Sequence, residues 1–275
     1  KPERKIKIMQ FGEGNFLRAF VEWIIQDLND KCAIDANVVL VQPMPFGRVK
    51  ELGEQDGLYT LRLEGIDGGK KVKNSQVINV VGDCVNPFTD YEKFLKYGES
   101  EDLEVIISNT TEAGIAVDPT DTDFSVCPRS YPGKLLALLK RRYDKFKGAK
   151  DKGLCIIPCE LIDNNGDELY RCLTELAKIK KMDRKFIDWV QNCCHYTSTL
   201  VDRIVPGYPK NEIEDISKIN INKRKSSKDR ILDFLSSASN PYIFKVNGKL
   251  VKIEFSNNTR TAESCITNVI KSIYE

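Results

Sequence analysis

Histidine is almost missing from this chain: His195 stands alone among 275 residues. It follows Cys193 and Cys194, a grouping that could suggest a metal or a nucleophile, but no second imidazole or nearby carboxylate completes either site. Small buried thiols at a helix end are the simpler reading, and no metal is expected. Charge of one sign is not in excess. Forty-two Lys and Arg against 40 Asp and Glu leave a net +2, which implies no broad field toward nucleic acid or a membrane. No apolar run is long enough to span a bilayer, and no signal-peptide pattern opens the chain. Nine cysteines are present without a single Cys-x-x-Cys, and their number is odd. That argues against a disulfide scaffold and for reduced thiols in the cytoplasm. Internal repeats and low-complexity segments are absent as well. The first residue is Lys rather than Met, so a few further residues are expected upstream.

What is present is an ordinary globular composition, 41% hydrophobic and 30% charged, long enough for one large domain or two smaller ones. Apolar runs alternate with helical periodicity. "KIKIMQF" (5–11), "NVVLVQ" (37–42), "LEVIISN" (103–109) and "GLCIIPCEL" (153–161) read as buried strands. Phe16, Leu17, Phe20, Trp23, Ile24 and Leu28 fall on one face of a first helix. Further helices are predicted at "DYEKFLKYG", 130–146, 166–181 and 183–194. "LYTLRLEGIDGGKKV" (58–72) reads as a hairpin turning at Asp67-Gly68-Gly69, with "VINVV" (77–81) extending its sheet. Strands alternating with helices predict an α/β fold, doubly wound around a mostly parallel sheet.

The first strand runs straight into "FGEGNFL". Gly12-Glu13-Gly14 then leads into the first helix, which is the context that a dinucleotide-binding turn requires. Gly12 would permit the tight turn, and Gly14 would let the backbone approach a pyrophosphate. The N–H groups from Asn15 through Phe16 to Leu17 would face the anion. The third glycine of the usual pattern is replaced by Leu17, so a plain strand–turn–helix fits the residues equally well. The second strand ends in Gln42 where an acid usually holds the ribose. These residues leave NAD versus NADP open.

"QFGEGNFLRAF" (10–20), "QDGLYT" (55–60), "SNTTEAGI" (108–115), "KGLCIIPCELIDNNGDEL" (152–169) and "TLVDRIVPGYP" (199–209) resemble, in this order, the blocks of the long-chain mannitol dehydrogenase family. Within it they most resemble the tagaturonate reductases. The likeness covers roughly residues 5–215. It implies a Rossmann-like domain, NAD as cofactor, and hydride transfer between a keto-uronate and its aldonate as small-molecule substrates. It also implies that Phe11 through Leu17, Gln42, and Asn109, Thr110 and Thr111 lie against the cofactor. From chemistry alone the Asn-Thr-Thr run could equally cap a helix whose first turn holds Glu112. Asp202 joins the cofactor set. Asp202 and Arg203 could alternatively form a buried pair tying a domain boundary. Arg203, with Arg18, is a candidate to grip a substrate carboxylate.

The chemistry is harder to place. The family's catalytic Asn corresponds here to Leu161, which leaves Asn165 as a weak catalytic candidate. The family's proton donor is a Lys, followed by Asn and His in a helical second domain. No such grouping follows "GYP" here, so that half is expected to be missing. Residues 1–217 are therefore read as the nucleotide-binding domain and 218–275 as an atypical tail. In the tail, a basic stretch at 221–230 reads as a linker. "YIFKVNGKLVKIEF" (242–255) predicts a hairpin at Asn247-Gly248, and 261–275 an amphipathic helix. Three readings remain: a reductase, a nucleotide-binding module without catalysis, or an interaction scaffold.

Overall fold

The computed structural model describes residues 1–205, apart from Glu112 and Asp202, and beyond them residues 243–246 and 249–252. β1 (Lys5–Phe11) leads into α1 (Asn15–Cys32) and β2 (Ala36–Val41). A short α2 (Val49–Glu54) and an antiparallel hairpin, β3 (Tyr59–Asp67) and β4 (Lys70–Ile78), follow. β5 (Val81–Val85), α3 (Tyr91–Tyr97), β6 (Val105–Ser108), α4 (Tyr131–Lys145), β7 (Cys155–Pro158), α5 (Asn165–Ile179), α6 (Arg184–Cys193) and β8 (His195–Tyr196) complete this part. Six strands form one parallel sheet in the order β5-β2-β1-β6-β7-β8. This is the doubly wound α/β sheet that the alternation of elements predicts.

The sheet is buried on both faces. Successive strand residues point to opposite sides. Ile8, Val38 and Leu40 join α1, α2 and the hairpin in one core. Met9, Val39 and Val41 join α3, α4, α5 and α6 in the other. All six residues of β2 are buried, which is why that strand reads as a continuous apolar run.

Two expectations are corrected. "VINVV" does not extend the hairpin as a unit: β4 stops at Ile78, and Val81 opens β5, which pairs in parallel with β2. The buried face of α1 also differs from the apolar stripe. Leu17, Phe20, Val21 and Ile25 are buried, but so are Arg18, Glu22 and Gln26, while Leu28 is exposed. The polar trio lies at i, i+4 and i+8, on one helical line, and it meets partners from other elements. Tyr59 Oη donates to Glu22 Oε2 at 2.7 Å, and Asn79 N donates to Gln26 Oε1 at 3.0 Å. A count of apolar positions alone misses such a seam.

In the C-terminal part, β9 (Ile243–Val246) pairs antiparallel with β10 (Lys249–Lys252), and Val246 sits opposite Lys249. That is the hairpin expected at Asn247-Gly248. The linker at 221–230 and the helix at 261–275 lie outside the described residues. Among the described residues, eight cysteines are free, no group of three or more His, Cys, Asp or Glu could hold a metal ion, and no helix is long and apolar enough to cross a membrane.

Candidate functional site

β1 is flanked by β2 on one side and β6 on the other. The chain therefore winds outward in both directions from β1 and β6, and the strand order reverses between them. Ligands of open α/β sheets bind at such a switch point, beyond the carboxyl ends of the strands. Five strands end level there: Val85 pairs with Val41, Val41 with Phe11, Phe11 with Ser108, and Ser108 with Pro158.

The turn after β1 has two glycines with different reasons to be glycine. Gly12 has φ +113, which a side chain rarely tolerates. A Cβ there would also lie 2.7 Å from the Asn109 carbonyl oxygen. The fold itself needs this glycine. Gly14 has φ −66 and ψ 164, open to any residue, and a Cβ there would meet nothing within 4 Å. The packing of the chain does not require glycine at this exposed position. It caps α1 without a side chain to bond the helix N–H groups, and the first turn carries no acidic residue. A helix end of this kind has donors and a positive dipole turned outward. These features fit a pyrophosphate, whose close approach a Cβ on Gly14 would obstruct.

Phe11 and Leu17 are buried, so their side chains belong to the core and only their backbone faces the turn. Phe16 is half-buried, and its ring lies 5.6 Å from that of Phe20. Asn15 is exposed, and its Oδ1 accepts from Arg18. Below the turn, Gln10 Nε2 donates to Gly12 O at 2.8 Å and to Glu22 Oε1 at 2.9 Å. Burial raises the Glu22 carboxyl above its usual range, against the pull of its bond from Tyr59, the charge of Arg18 and its bond from Gln10.

Arg18 is 7% exposed, and its guanidinium carbon lies 5.4 Å from the centre of the Tyr59 ring. It packs inside the α1–hairpin seam, poorly placed to grip a substrate in solution. Arg203 lies 4.9 Å above the Trp23 ring, on the flank of the same helix. Asp202 lies outside the described residues.

The corner after β6 is organised by a residue that the sequence reading did not single out. Glu160 is buried; its Oε2 accepts from Ser108 Oγ at 3.0 Å, and its Oε1 accepts from Thr110 N at 3.0 Å and Thr110 Oγ1 at 2.9 Å. Asn109 Nδ2 donates to Cys159 O at 2.6 Å, while Asn109 N donates to Phe11 O at 3.0 Å. These bonds lock the loops after β1, β6 and β7 together. Thr111 is exposed with φ +82, a conformation a β-branched residue holds only under constraint. The described residues from 113 to 130 form turns and bends rather than a capped helix. Burial pushes the Cys159 thiol up to about 12, with the Glu160 charge adding to it, so it is no ready nucleophile.

Asn165 is fully buried. Its Nδ2 donates to the carbonyls of Pro158, Glu160 and Thr199, and its Oδ1 accepts from Thr199 N at 2.9 Å. With both ends of its amide engaged, it anchors the loop after β7. Gln42 is likewise turned inward: its Nε2 donates to Met44 O at 2.9 Å, and its Oε1 accepts from Val49 N at 3.4 Å. It braces its own loop.

Comparison with known proteins agrees with this arrangement. The family model for the mannitol dehydrogenase Rossmann domain matches residues 6–231, and the model of a family of unknown function matches residues 205–270. Altronate oxidoreductase of Bacteroides thetaiotaomicron is 44% identical over 218 residues, 79% of this chain and 46% of its own. The Bacillus subtilis altronate oxidoreductase is 44% identical over 211 residues, 77% of this chain and 44% of its own. This chain thus spans less than half the length of these relatives. Among solved structures, D-sorbitol dehydrogenase in substrate-free form superposes with a TM-score of 0.64 at 24% identity, over 76% of this chain and 45% of that one. Mannitol 2-dehydrogenase of Pseudomonas fluorescens, in a ternary complex with NAD and D-mannitol, gives 0.64 at 20% identity, over 76% and 44%. At these identities the superpositions establish the fold.

Proposed function

Because the chain belongs to the mannitol dehydrogenase family, we propose that it carries the NAD(H)-binding part of an oxidoreductase that interconverts a keto-uronate, tagaturonate, with its aldonate, altronate. The observation that carries the nucleotide reading is Gly14, a glycine that neither backbone conformation nor packing requires, at the open end of α1. Gly12 and Gly14 would cradle the pyrophosphate, and the N–H groups of Asn15 to Leu17 would face its charge. The corner held by Glu160 would present Asn109, Thr110 and Thr111 toward the nicotinamide half. The bound cofactor supplies the hydride. The residues described here bind and orient it, and close the loops after β1, β6 and β7 beneath it.

The altronate oxidoreductase relatives, at 44% identity, support the uronate substrate class. With Arg18 packed in its seam, Arg203 is the better candidate to hold a substrate carboxylate. The proton donor is expected from a Lys-Asn-His grouping, and none stands among these 275 residues after "GYP". These residues are read as the part that binds NADH, in the cytoplasm. Titration of NADH fluorescence is the test. Saturable binding supports the reading, and a folded chain that leaves NADH fluorescence unchanged refutes it. Adding tagaturonate to the same sample separates a reductase from a binding module.

A further inference from the structure

We infer that Glu13, inside the glycine turn, makes this site choose a dinucleotide with a free 2′-hydroxyl over one bearing a 2′-phosphate; this rests on the nucleotide reading of the turn. In open α/β sheets the adenosine ribose lies beyond the second strand, where an acid accepts from its hydroxyls and repels a phosphate. Here β2 is followed by Gln42, whose side-chain amide is engaged at both ends by Met44 and Val49. The acid reaches this corner from the neighbouring loop instead. Glu13 Oε1 accepts from Arg48 N at 3.2 Å. The same oxygen packs on Gly47: a Cβ added there would stand 2.1 Å from Glu13 Oε1 and 2.7 Å from Gln42 Oε1. Glu13 and Gln42 thus converge on one backbone position just past β2, and only Glu13 brings charge. Among the described residues its Oε2 takes no hydrogen bond, which leaves an acceptor for a ribose hydroxyl.

The opposing group is Arg48. Its side chain is exposed, and it belongs to the residue whose N–H Glu13 holds. A cation beside this corner would favour a 2′-phosphate. The Glu13 carboxylate offsets it, and like-charge repulsion penalises the phosphate further. Gly47 has a matching reason to be glycine, since any side chain there would displace Glu13.

The test titrates the intact chain and its Glu13→Gln variant with NADH and NADPH, read by cofactor fluorescence. Gln keeps an oxygen for Arg48 N and removes the charge. The wild type should prefer NADH. The variant should lose at least ~10-fold of that preference, by binding NADPH more tightly and, with the acceptor for the ribose hydroxyl gone, NADH less tightly. A variant that binds NADH normally with the preference intact overturns the inference, as does a wild type that prefers NADPH. A wild type that binds neither overturns the nucleotide reading itself, and this inference with it. A salt series on the wild type gives a second reading should the variant fail to fold. Discrimination against NADPH must shrink as salt rises, because a charge effect at a half-exposed site is screened. Discrimination that does not change with salt refutes the role of Glu13.

Discussion

Gly12 and Gly14 stand two residues apart and make opposite demands. Gly14→Val adds a side chain where the protein has room, so the thermal midpoint should hold while NADH binding weakens by about 2 kcal/mol, roughly 30-fold. Gly12→Ala meets both a positive φ and the Asn109 carbonyl. It should cost about 1–3 kcal/mol of stability, measured by urea denaturation. Unchanged affinity in a folded Gly14→Val chain would remove the pyrophosphate assignment. Glu160→Ala strands three donors in a buried corner, and should lower the unfolding free energy by about 2–3 kcal/mol. The sequence pointed to the turn because two glycines between a strand and a helix supply the setting that a dinucleotide-binding turn requires. It did not point to Glu160, since an acid at the end of an apolar run gives no sign of which donors will surround it. The same holds for Gln42 and Asn165, whose amides are absorbed by neighbours that only the folded loop supplies.

Helix by helix and strand by strand, legibility follows length and burial. β1, β2, β6 and β7 are short apolar runs, and α4 and α5 are long and periodic; all stood out. Helix α2, "VKELGE", is six residues with a glycine inside, and β8 has two residues; neither offers a window in which a period could show. Helix α1 was located, but its polar seam hid which face turns inward. Helix α4 holds a second polar exception. Lys134 is buried, donates to Arg129 O at 2.7 Å and sits 4.4 Å above the Phe88 ring. Burial lowers its ammonium to about 8. Below that pH both folded and unfolded chains hold the proton, and the folded state bears the full penalty. Between about 8 and the unfolded value near 10.4 the folded chain has already lost its proton, so this contribution to stability improves as pH rises. The difference in thermal midpoint between wild type and Lys134→Met should therefore change across pH 8 to 10, with the wild type gaining on the variant. A difference that stays flat across this range would mean that Lys134 keeps an ordinary pKa.

For the molecule as a whole, every residue proposed for the cofactor except Asp202 lies between Phe11 and Thr111, and the strands that carry their loops end by Pro158. Removing residues 218–275 should accordingly change NADH affinity by less than about threefold; a larger loss would make the tail part of the site. Steady NADH oxidation with tagaturonate, at a rate ordinary for a dehydrogenase, would show that the 275 residues contain a proton donor after all. A positioned acid typically contributes about 10²- to 10⁴-fold, so the two outcomes are well separated. The level row of Val85, Val41, Phe11, Ser108 and Pro158 also bears on how such a chain can vary in length. One residue inserted within any of these strands advances its loop by ~3.3 Å and turns the following side chains to the opposite face. One inserted beyond the row leaves the strand faces as they are, but after Phe11, Ser108 and Pro158 it falls in loops that Asn109, Thr110 and Glu160 tie together. Single-residue insertions sorted for soluble expression should therefore fail sharply within all five strands, stay poorly tolerated through those three tied loops, and recover first past Val85, tracing the rim of the sheet along a one-dimensional sequence.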